Sequence, residues 1–81
     1  MLTKEELENY DKNSHEYKVA LQNMFRINFT DEFDERLSNG GKITNKEISD
    51  FCAKFKEYKS ENYIRAIIVP MILENYGHVI Q

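Results

Sequence analysis

The last third of the chain constrains the fold most. Ile64, Ile67, Ile68, Met71 and Ile72 fall at three- and four-residue intervals, the period of one helical face. Ala66 and Val69 make the remaining faces apolar too, and a helix that is apolar nearly all round is one its neighbours must cover. Ser60 is placed to cap its start and Gly77 to end it. Pro70 removes one donor and crowds the carbonyl of Ala66, which predicts a kink or a restart there. A short strand over residues 66–69 would have no second strand to pair with. The expected fold is therefore all-α: a compact bundle of four to five helices, with the Ile-rich helix at 61–76 central.

The rest of the chain carries the punctuation such wrapping helices need. Thr3 and Glu6 form a capping box, as do Thr44 and Glu47, the second with Ile43 and Ile48 at the positions of a hydrophobic staple. Ile48, Phe51, Cys52, Phe55 and Tyr58 then predict an amphipathic helix over 48–58. Near the start, Leu7, Tyr10, Ser14, Tyr17, Leu21 and Met24 recur at alternating steps of three and four. Between them Asp11, Asn13 and Ser14 are short polar residues that prefer caps and turns. Two readings are open: one helix over 4–27, or a break with Ser14 capping a second helix. Thr30 is expected to open a further helix, with Asp31 and Glu32 in its positive first turn and Phe29, Phe33 and Leu37 on one face. Asn39, Gly40 and Gly41 would end it. Residues 78–81 read as a short tail.

Eighty-one residues make one domain, 1–81. One cysteine cannot form an internal disulfide, which fits a reducing, cytoplasmic setting. No apolar run approaches the ~20 residues of a membrane span, and no signal-peptide pattern is visible. Five basic and nine acidic residues fall in 1–38, six and five in 39–81, giving −4 and +1. That balance makes nucleic acid an unfavoured partner.

Candidate chemistry is sparse. His15 and His78 are coupled to no nucleophile, and Cys52 lies on an apolar stripe, where a free thiol behaves as a small hydrophobe. Gly40 and Gly41 lack the spacing of a phosphate loop, and no His/Cys cluster offers four zinc ligands. The expectation is a non-enzyme with no cofactor and no metal. The run Gly41-Lys42-Ile43-Thr44-Asn45-Lys46-Glu47-Ile48 resembles the second half of an EF-hand loop, in which the glutamate would clamp calcium. The first half departs from that pattern: a twelve-residue frame ending at Glu47 opens on Arg36, then places Ser38 and Gly40 at ligand positions. A fourteen-residue frame would open on Asp34. A degenerate metal module of this kind is one alternative. A helix-turn-helix DNA-binding regulator over 44–72, with Lys46, Lys54, Lys56, Lys59 and Arg65, is another; its turn lacks the usual glycine.

The leading expectation uses the opposite charge. Asp31, Glu32, Asp34 and Glu35 place four carboxylates in five residues, and such a face steers onto a basic partner. Tyr10, at an amphipathic edge, suits an interface anchor. The chain thus reads as a small acidic stoichiometric protein-binding module, an inhibitor or adaptor. The Lys/Glu/Asn/Ile/Tyr-rich composition is compatible with an anti-defence or immunity-type protein of a phage or mobile element. A homodimer would assist so small a core.

Overall fold

The structure, a computed structural model, describes residues 4–81. It contains four helices: α1 (Lys4–Glu8), α2 (His15–Ser38), α3 (Asn45–Ala53) and α4 (Glu61–Tyr76). No strand occurs among the described residues, only an isolated parallel bridge between Ile43 and Ile80. The Thr3–Glu6 capping box lies outside the described residues.

The break near Ser14 is real, and a single helix over 4–27 does not form. Asp11 closes a turn by accepting the Asn13 N–H on its Oδ1 and the Ser14 N–H on its carbonyl. Ser14 Oγ then accepts the Tyr17 N–H at 3.1 Å, the N-cap bond of α2. Short polar side chains win here because they offer the backbone a local alternative to the helix.

The expected helix start at Thr30 is overturned, because α2 runs through it to Ser38. Leu21, Phe25, Phe29, Phe33 and Leu37 form one unbroken ladder at four-residue steps, all buried. That continuity outweighs the cap preference of one exposed threonine. Asn28, another residue inclined to leave helices, bonds back to the Met24 carbonyl at 2.8 Å. Asp31 and Glu32 consequently lie in the second half of a long helix, far from any positive helix end.

α2 ends as its glycines predict. The Gly41 N–H reaches the Arg36 carbonyl and the Gly40 N–H the Leu37 carbonyl, the paired bonds of a Schellman motif. Gly40 has φ 89°, and a Cβ on Gly41 would lie 2.6 Å from the Arg36 carbonyl oxygen. The Thr44–Glu47 capping box forms in full, and Ile43 and Ile48 are both completely buried. α3 stops at Ala53, five residues short of expectation. Residues 54–59 continue as turns that still place Phe55 and Tyr58 against the core.

α4 packs on both α2 and α3, with Ile64, Ile68 and Ile72 fully buried. Pro70 neither ends nor restarts it. Its cover is one-sided, however: Ile67, Val69 and Met71 are half-buried, while Ala66, Pro70 and Leu73 are exposed. The core is a ring-rich centre in which Phe51 meets Phe29 edge-on at 5.3 Å and Phe55 meets Phe25 at 5.5 Å. Residues 78–81 are no loose tail. Val79 is buried, its carbonyl accepts the Ile43 N–H, and the Gln81 N–H returns to the Ile43 carbonyl. No described helix is long and apolar enough to cross a membrane.

Candidate functional site

Helical geometry divides the four carboxylates that the sequence groups together. Glu32 turns toward α3, where Lys54 Nζ donates to both its oxygens at 2.9 and 3.1 Å. Asp34 turns toward the end of α4 and accepts the Tyr76 hydroxyl at 2.6 Å and the Ser38 hydroxyl at 3.3 Å. Desolvation, and then the Asp34 carboxylate that holds its proton, push the Tyr76 phenol up to about 12. Glu32 and Asp34 therefore fasten α2 to its neighbours.

Asp31 and Glu35 remain. They stand one turn apart on the exposed side of α2, and neither side chain makes a hydrogen bond or ion pair with a described residue. Like charges at this spacing destabilise a helix, and carboxylates near a C-terminus oppose its dipole. Nothing in the folding of α2 calls for them. They continue a four-residue ridge that begins with Val19, Asn23 and Ile27, about 24 Å long at 1.5 Å per residue. Val19 is 42% exposed and Ile27 38%. Tyr10, 39% exposed, lies at the far end, where it borders a shallow groove with His15, Glu16 and Val19. Tyr10 is thus not beside the carboxylates but joins the opposite end of the same ridge. The sequence reading missed Val19 and Ile27. Their signal was present as two apolar residues off the Leu21–Phe25–Phe29 face of a helix.

The segment similar to an EF-hand loop is built for another purpose. Arg36, at the first-ligand position of the twelve-residue frame, donates to Glu47 Oε2 at 2.6 Å. The other Glu47 oxygen accepts from the Thr44 N–H and hydroxyl. The Arg36 hydrogen bond foremost, then that from the Thr44 backbone, hold the Glu47 carboxyl below its usual value. Among the described residues no group of three His, Cys, Asp or Glu side chains could hold a metal ion. The carboxylate caps α3 and ties it to α2.

Of the five cations proposed for a duplex reader three are similarly engaged, while Lys56 and Lys59 meet no acidic partner among the described residues. Lys46 pairs with Asp50, Lys54 with Glu32, and Arg65 with Glu61 and Ser49. The exposed residues of α4 are Glu61, Asn62, Ala66, Pro70, Leu73, Glu74 and Asn75, none of which presents a positive charge to a phosphate backbone. Cys52 is fully buried in the core, and desolvation raises its thiol pKa, so the thiolate form is disfavoured. Comparison of the chain with protein-family models, curated proteins and solved structures finds no match.

Proposed function

We propose that this chain is a stoichiometric protein-binding module, an inhibitor or adaptor, that engages a basic surface of another protein through the outer ridge of α2. The observation that carries the reading is the pair Asp31 and Glu35: without a partner among the described residues, one turn apart, and placed where helix energetics disfavour them. Exposed Ile27, one turn from Asp31, supplies apolar contact beside the charge, and exposed Val19 extends the ridge toward Tyr10. An interface of this make-up takes its binding energy from the apolar residues and its approach rate and register from the carboxylates.

The test compares the wild-type chain with an Asp31→Lys/Glu35→Lys variant in affinity capture from the native host, with mass-spectrometric identification. Capture of a protein with a basic surface by the wild type, reduced at least tenfold by the reversal, is the expected result. Equal capture by both chains removes the ridge from the function. Circular dichroism of the variant should match the wild type, since both side chains are exposed and unpaired.

A further inference from the structure

At the other end of α2 three lysines converge on one groove. Lys12 in the turn before α2, Lys18 in its first turns and Lys59 in the connection to α4 border one groove of about 320 Å³, with Tyr17, Tyr63 and Ser14 in its walls. Lys12 and Lys18 make no hydrogen bond or ion pair with a described residue. Lys59 Nζ lies 5.0 Å from the centre of the Tyr63 ring and pairs with no carboxylate among the described residues. Their behaviour contrasts with Arg36, Lys46, Lys54 and Arg65, each of which is tied to an acidic partner. In a chain with more acidic than basic residues, three cations left without carboxylates and gathered from three separate segments form a positive site. Lys12 and Lys59 also border the adjoining groove on the Leu7 side, which contains Glu8 and Glu57, so the positive region ends there and Lys18 marks its Ser14 side.

From this convergence we infer that the groove binds an oligophosphate, a chain of two or three phosphate groups carried free or on a nucleoside. Three separate ammonium groups match several phosphates better than one, because each lysine acts as a flexible point charge with its own donors. The positive end of the 24-residue α2 opens beside the same groove and adds to the field. Tyr17 and Tyr63 offer half-buried ring surface at its wall, against which a nucleobase can lie. This site is separate from the α2 ridge and does not depend on the function proposed for it.

The test is titration of the isotopically labelled full chain with inorganic tripolyphosphate, ATP, AMP and sulfate, read as amide chemical-shift changes. Expected are saturable shifts at Ser14, Tyr17, Lys18 and Lys59 with tripolyphosphate and ATP, and far weaker ones with AMP and sulfate. ATP binding more tightly than tripolyphosphate assigns the natural ligand to nucleotides; equal affinity assigns it to the phosphate chain alone. Lys12→Gln, Lys18→Gln and Lys59→Gln should each weaken binding roughly fivefold, the factor for an exposed charge pair at the top of its ordinary range. All three lysines are exposed, and unchanged circular dichroism will separate lost binding from lost fold. Absence of saturable shifts, equal response to sulfate, or affinity indifferent to all three substitutions would overturn the proposal.

Discussion

Tyr76 and Asp34 show what a single polar contact does on this surface. The phenol donates to the carboxylate at 2.6 Å across the α2–α4 junction. Ionising it there would place two negative charges side by side in a partly desolvated position, and its pKa is accordingly about 12. An ordinary tyrosine titrates near ~10. Because the folded value is the higher one, the contact's pH-dependent contribution to stability is complete below pH ~10 and is lost as pH rises toward about 12. Ultraviolet titration of tyrosinate should show a late step at about 12 that Tyr76→Phe removes. Asp34→Asn should move that step down and soften the alkaline limb of the stability curve. A titration curve unchanged by Tyr76→Phe in that range would show that the contact is not made in solution.

Among the elements, α2 separates residues that look alike in the sequence. Ser14 and Thr30 are both small hydroxyl residues ahead of acidic or apolar runs, yet only Ser14 accepts a cap bond. Ser14→Ala should cost about 0.5–2 kcal/mol, the range for a lost N-cap. Thr30→Ala should be neutral or slightly stabilising in a urea melt, since an exposed mid-helix position favours alanine over threonine. A loss above 1 kcal/mol at Thr30 would restore it as a helix start. This pair also marks how far the sequence is legible. The Thr44–Glu47 box, the glycine stop after Ser38 and the caps at Ser60 and Gly77 are local features, and each is where its residues predict. Whether two apolar stripes belong to one helix or two depends on tertiary burial of Phe25, Phe29 and Phe33 together, which no cap residue encodes. The same misreading grouped the carboxylates: moved from a first turn into a long helix, Asp31, Glu32, Asp34 and Glu35 point to three different surroundings. Lys12 and Lys18 escaped notice, and Lys59 was grouped only with the lysines of a duplex reader, for the converse reason: the fold alone brings the three together.

For the whole molecule, the balance between core and surface decides how much change the chain tolerates. Its extents of 39 × 21 × 18 Å follow the length of α2, about 36 Å for 24 residues. An elongated body of 81 residues buries a smaller share of its apolar surface than a rounder or larger one. Single cores of this size supply only about 3–5 kcal/mol of net stability. α4 contributes to that core through one stripe, so neighbouring isoleucines are unequal: Ile68 is fully buried and Ile67 only half. Ile68→Ala removes three side-chain carbons from a site closed on all sides and should cost about 2–5 kcal/mol, a large share of the net stability of so small a core. Ile67→Ala forfeits only the buried part of its side chain, and water fills the remainder, so its cost should stay under about 2 kcal/mol. Urea melts of the two variants measure the contrast directly. Equal losses at both positions would mean that the outer side of α4 is covered in solution, and the exposed Ala66, Pro70 and Leu73 would then have to be counted as interior.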